Sequence, residues 1–207
     1  MQSLMKLRNF KKLSIGLAVV FLLTACGQMG SGVTIGKTEV SSAQIQKYVD
    51  EILAERAKVD TSQMNLDSGA SLLRTQAQFQ IISTVLDQVI LDKKITVTPA
   101  DVAARRADIV TQVGGESELP TALVSASLAP SNLDKYLKII LISEKLNEVV
   151  VSEGATAETA GDVVTKLVTD TAKKLGVTVN SRYGKWNEST ATIEEADNTS
   201  GAVTPVP

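Results

Sequence analysis

From residue 33 onward, apolar side chains first alternate along the chain and then settle into a helical period. Val33, Ile35 and Val40 flank a Gly36-Lys37 turn, the pattern of a short strand or hairpin. Ser41 and Gln44 have the spacing of a capping box. Ile45, Tyr48, Val49, Ile52 and Leu53 follow on one face, which predicts a first helix over 42–58. After a polar stretch at 59–70, Leu72, Leu73, Phe79, Ile82, Val85, Leu86, Val89 and Ile90 make a long helix. Its broad apolar face marks it as the expected centre of the fold. Thr98 as cap, Pro99 at the first helical position and Asp101 at the third open a helix over 99–113, which Gly114-Gly115 stops.

A shorter helix runs through Leu119, Leu123 and Val124. Pro130-Ser131 opens a fifth, with Ser131 and Asp134 expected to cap it. Leu133, Tyr136, Leu137, Ile140, Leu141 and Leu146 form its stripe as far as Val151, with Lys135, Lys138, Glu144 and Lys145 off the stripe. A sixth spans 159–175 through Val163, Val164, Leu167, Val168 and Ala172, with Gly176 as its C-cap. Val177-Thr178-Val179 reads as a short β segment able to pair with the one near residue 33. Residues 188–207, rich in Ser, Thr, Asp, Glu, Asn and Pro, read as a disordered tail. The expectation is one mainly α domain over 33–187, about six helices with short N- and C-terminal β segments.

The residues before this domain have another character. Residues 1–12 are basic without an acid, and 13–23 form an apolar run bounded by small residues, the layout of a signal peptide. That run is shorter than the roughly 20 residues a spanning helix needs. Leu23-Thr24-Ala25-Cys26, followed by Gly27, resembles the lipobox of bacterial lipoproteins. The resemblance implies cleavage between Ala25 and Cys26 and acylation of the Cys26 thiol. Acyl chains worth about 0.8 kcal/mol per buried methylene anchor a protein without a spanning helix. Residues 26–32 then serve as the lipidated tether, and the expected location is the extracytoplasmic face of a membrane, either the outer face of the plasma membrane or a periplasmic leaflet.

Charge and composition narrow the function. The chain has 21 basic and 23 acidic residues, and Lys6, Arg8, Lys11 and Lys12 lie in the leader, which leaves 17 against 23 and a formal charge of −6. An acidic surface without a basic cluster excludes nucleic acid as a partner. Histidine is absent and cysteine occurs once. The usual zinc ligands and the usual base of a nucleophilic triad are therefore missing, and no metal or cofactor is expected. One cysteine makes no internal disulfide, so packing alone must hold the fold.

The order of the pieces resembles the helical N-terminal region of SurA- and PrsA-type extracytoplasmic folding factors. The opening Val33-Thr34-Ile35-Gly36-Lys37, the helix segment Val85-Leu86-Asp87-Gln88-Val89-Ile90 and the helix start Ile95 to Val102 carry it. So do Leu128-Ala129-Pro130-Ser131-Asn132-Leu133 and the closing Asn180-Ser181-Arg182-Tyr183-Gly184-Lys185-Trp186, which looks like the end of SurA-like actinobacterial lipoproteins. The resemblance implies an orthogonal helical bundle and chaperone-like binding of unfolded, secreted polypeptides. Members with prolyl isomerase activity insert a parvulin domain, for which 151–159 leaves no room. No isomerase activity is expected.

Three functions stand side by side: a membrane-anchored, chaperone-like binder, a helical scaffold lipoprotein with one fixed cell-envelope partner, and a hydrolase using carboxylates or a Ser/Lys dyad. For the last, Asp87 with Asp92, Glu116 with Glu118, and Thr171 with Lys173 and Lys174 are the candidates, though scattered charges on helices are usually solvated faces. No residue is assigned a catalytic role. Tyr183 and Trp186 are either a peptide-binding platform or a plug over the core, and Tyr48 and Tyr136 read as core. Met64 is the one methionine after the tether, few for a promiscuous groove.

Overall fold

The Gly36-Lys37 turn joins β1 (Ser31–Ile35) to β2 (Thr38–Ser41) as an antiparallel hairpin, and β3 (Val177–Val179) pairs with the other side of β1. The two β segments expected to meet therefore do so, in a sheet of order β2-β1-β3. A computed structural model describes residues 30–196. Residues 1–29, read above as leader and tether and including Ala25 and Cys26, and residues 197–207, read as tail, lie outside the described residues.

Among the described residues six α-helices follow the hairpin: α1 (Ser42–Arg56), α2 (Gly69–Lys93), α3 (Pro99–Val113), α4 (Leu119–Ser125), α5 (Leu133–Ser152) and α6 (Ala160–Leu175). The fold is mainly α. The helix α2 is the axis: it packs against α1, α5, α6 and β1, and Ile81 and Val85 on it are fully buried. Val33 and Ile35 from the sheet, Ile142 and Leu146 from α5 and Ala172 from α6 close around it as one core. Smaller clusters surround Leu137 with Leu119 and Leu123, and Ile52 with Leu72.

Polar groups inside this packing fix one loop. Gln76 Nε2 donates to the Ser127 carbonyl at 3.0 Å, and Arg56 donates to the Ser127 hydroxyl at 2.9 Å. Ser127, at φ 49, turns the chain from α4 toward the 3₁₀ turn Pro130–Asn132 that starts α5. That start differs from the expected one. The Ser131 N–H donates to the Glu51 carboxylate at 3.2 Å, and Asn132 occupies the cap position without a side-chain bond, so neither Ser131 nor Asp134 caps α5. A tertiary partner displaced the local one.

Residues 188–194, expected to belong to a disordered tail, are ordered instead. Tyr183 and the strands β4 (Lys185–Asn187) and β5 (Thr192–Glu194) form a hairpin that buries Ala191 and Ile193 against the core. Leu53 and Tyr136, read as core, are 48% and 39% exposed, because each falls at the margin of its stripe.

No residue of α3 is buried, which makes it the helix held most lightly. Val102, Ile109, Val110 and Val113 pack partly against the Leu137 cluster. Arg105 with Glu144 and Lys145 with Asp101 tie it to α5 through exposed ion pairs of small worth. Its start depends on a complete capping box between Thr98 and Asp101. Thr98→Ala is expected to cost about 1 kcal/mol and to lower amide protection in α3 before the rest, read by hydrogen exchange. Acid acts in the same direction. The Thr98 backbone N–H, and after it Lys145, hold the Asp101 carboxyl below its ordinary range. Its contribution is present above that range and is lost as pH falls through the lowered folded value.

Candidate functional site

Gln80, Thr84, Asp87, Gln88 and Leu91, spaced i, i+4, i+7, i+8 and i+11, form one stripe of α2 that runs from the buried Gln80 to the exposed Leu91. It floors two adjoining grooves bordered by the hairpin. A groove of 470 Å³ lies between Glu39, Val40 and Ser41 of β2, Gln44 and Tyr48 of α1, Gln80 and Lys135. Another, of 730 Å³, continues past Gly36, Lys37 and Thr38 to Leu91 and Lys174. On the other flank, a cleft of 540 Å³ opens between α2, α3 and α5. Its floor is Val97 and Val102, Pro99 and Ala103 stand exposed at its mouth, and its rim is charged: Asp87, Arg106, Asp134, Lys135 and Lys138.

The cleft exists because α3 lies against α5 and α4 without sinking into the core. The rim charges are mostly paired. Lys138 meets Asp87 at 2.6 Å, and Arg106 meets Glu116 at 2.6 Å. The Glu116 hydrogen bonds raise the Arg106 pKa, and the same contact lowers that of Glu116. Lys135 differs. It sits half-buried where the cleft and the first groove meet, its Nζ donates to Gln80 Oε1 at 2.8 Å, and burial lowers its pKa, with Asp87 opposing and Lys138 adding to the effect.

The hydrolase candidates do not converge. Asp87 and Asp92 turn to different helices, Asp87 to Lys138 on α5 and Asp92 to Lys174 on α6 at 3.3 Å. Gln88, and after it Lys174, lower the Asp92 pKa, the wrong direction for a general acid near neutrality. Glu116 is engaged by Arg106, and Glu118 stands at the start of α4. Thr171 faces the core while Lys174 extends into solvent, so the dyad spacing assembles no dyad. Among the described residues, no group of three His, Cys, Asp or Glu side chains is placed to hold a metal.

Tyr183 is 1% exposed and belongs to the main core, with Trp186 half-buried against it. Tyr183 is thus part of the core, while Trp186 keeps part of its ring at the surface. The Arg182 guanidinium lies 5.6 Å from the Tyr183 ring centroid, and Arg74 donates to the Tyr183 carbonyl at 3.1 Å. Sequence reading passed over Lys135 and Gln80. The sequence offers little signal for them, since α2 also carries Arg74, Gln78, Asp87 and Gln88, and it is burial that singles out Gln76 and Gln80. Among the described residues no helix is long and apolar enough to cross a membrane. No family model, curated protein or solved structure matches the chain, so the grooves are read from their own residues.

Proposed function

We propose that the protein is a lipid-anchored, chaperone-like module that binds unfolded or newly exported polypeptides on the extracytoplasmic side of a membrane, without prolyl isomerase activity. The observation that carries this reading is the cleft between α2, α3 and α5, which keeps an apolar floor open under a charged rim after the core has closed. Such a surface suits chain segments that mix apolar and polar side chains. The lipobox-like Leu23-Thr24-Ala25-Cys26 and the ordered resemblance to SurA- and PrsA-type factors support it from the sequence side. Seven residues separate α5 from α6, so no further domain is inserted there.

A scaffold with one fixed envelope partner is the second reading. Met64, the one methionine after the tether, lies in the α1–α2 connection and not in the cleft, which favours a surface with less adaptability. A single experiment separates the two. Residues 27–207, purified, are expected to suppress aggregation of several unrelated unfolding proteins at near-stoichiometric amounts. Ala103→Arg, which projects a long charged side chain into the cleft mouth from an exposed position, is expected to abolish the effect without lowering stability. Failure with every client would favour the fixed partner. In cells, Cys26→Ser is expected to move the chain out of the membrane fraction, and unchanged fractionation would refute the anchor.

A further inference from the structure

The sheet ends at β2, on the side where the two grooves run. In a hairpin closed by a two-residue turn, the pair beside the turn, Ile35 and Thr38, exchanges both main-chain hydrogen bonds, and the pairs alternate from there. The N–H and C=O of Glu39 therefore point away from β1, just as those of its partner Thr34 point toward Thr178 on β3. The chemistry that satisfies such an edge is another extended main chain. The four residues of β2 span about 10 Å at 3.4 Å per residue, and the α2 stripe from Gln80 to Leu91, about 16 Å long at 1.5 Å per residue, runs past them toward the turn. Residues 39–41 line one groove with Gln80, and residues 36–38 line the other with Thr84 to Leu91.

Side-chain chemistry selects among extended chains. The Lys135 ammonium is half removed from water, yet its hydrogen bond goes to a neutral amide, and Asp87, the nearby acid, is taken by Lys138. An ammonium only donates, so Gln80 must turn Oε1 toward it. Gln80 Nε2 is then left buried with no partner among the described residues. Donors outnumber acceptors at this corner. Strand alternation puts the Glu39 carboxylate on the sheet face opposite Val33 and Val40, away from α2. A carboxylate brought in from outside is the group that balances Lys135.

We propose that the groove along the free edge of β2 takes an extended polypeptide segment as an added strand, with an Asp or Glu side chain of that segment against Lys135. This rests on the polypeptide-binding reading above and names its substrate class: extended, acidic segments. The groove meets the apolar cleft at Lys135, so one bound chain reaches both surfaces.

The test uses residues 27–207 and a fluorescein-labelled peptide of alternating Val and Thr with one central Glu, followed by anisotropy. Replacing the peptide's Glu by Gln is expected to weaken binding about tenfold, the usual size of a lost charge-assisted contact. Lys135→Met is expected to erase that difference. Methylating the peptide's amides along one edge is expected to abolish binding without touching the protein. Glu39→Pro, which removes an outward N–H and no bond to β1, is expected to weaken every peptide alike. Equal binding of the Glu and Gln peptides, or undiminished binding of the methylated one, overturns the inference. If no peptide binds while Ala103-dependent suppression of aggregation persists, this inference falls and the proposed function stands. If both are lost, both fall.

Discussion

Gly184→Ala is expected to destabilise the protein by about 3–5 kcal/mol, because it combines a strained backbone with a clash against a carbonyl. Gly184 sits at φ 131, and a Cβ there would stand 2.0 Å from the Glu194 carbonyl oxygen and 3.0 Å from Ile193 Cγ2. Neither atom is the free end of a flexible side chain. Both belong to β5, the strand that covers the main core, so the hairpin must shift outward and expose Ala191 and Ile193. The thermal midpoint should fall by roughly 10 °C, at the 2–4 °C per kcal/mol usual for a chain of this size. Amides in 185–194 should lose protection first. Gly115→Ala is the control. That residue has a comparable φ of 117 and nothing within 4 Å of its added Cβ, so it isolates backbone strain and should cost about 1–2 kcal/mol. Equal effects at the two positions would show that β5 does not press on Gly184.

The same hairpin shows where sequence reading stops. Chain-local signals were legible: Thr98, Pro99, Asp101 and Gly114 mark both ends of α3 because cap chemistry is complete within a few residues. The apolar periods of α2 and α6 were legible for the same reason. Residues 188–194 carry one large apolar side chain, Ile193, too little to signal a strand. Their order comes from a residue more than a hundred positions away. Gln78 Nε2 donates to the Ala191 carbonyl at 2.8 Å, and Gln78 Oε1 accepts from the Ile193 N–H at 2.7 Å, so one side-chain amide stands in for a neighbouring strand. The start of α5 was misplaced in the same way, with Glu51 supplying from another helix what Ser131 was expected to supply locally. The grooves were illegible for a further reason. They consist of what α2 leaves uncovered once five elements have packed on it, and Lys135 acquires its character only from the Gln80 amide it meets there.

Tyr183 is the second position where a single change should have a large effect, and its two parts should act with opposite signs. Removing the ring by Tyr183→Ala empties a fully buried site between the hairpin and the core, and is expected to cost about 3–5 kcal/mol. The Arg182 guanidinium over the ring and the Arg74 bond to the Tyr183 carbonyl lose their support with it. Removing only the hydroxyl is different. The Tyr183 hydroxyl is buried and makes no hydrogen bond to any described residue. In the unfolded chain that group is solvated, so burying it unpaired opposes folding by about 1–3 kcal/mol. Tyr183→Phe keeps the packing and drops the penalty, and is therefore expected to raise stability by about 1 kcal/mol in denaturant titrations. A loss on Tyr183→Phe would mean that the hydroxyl is bonded in solution. The closing aromatic would then be held by a polar contact as well as by its shape.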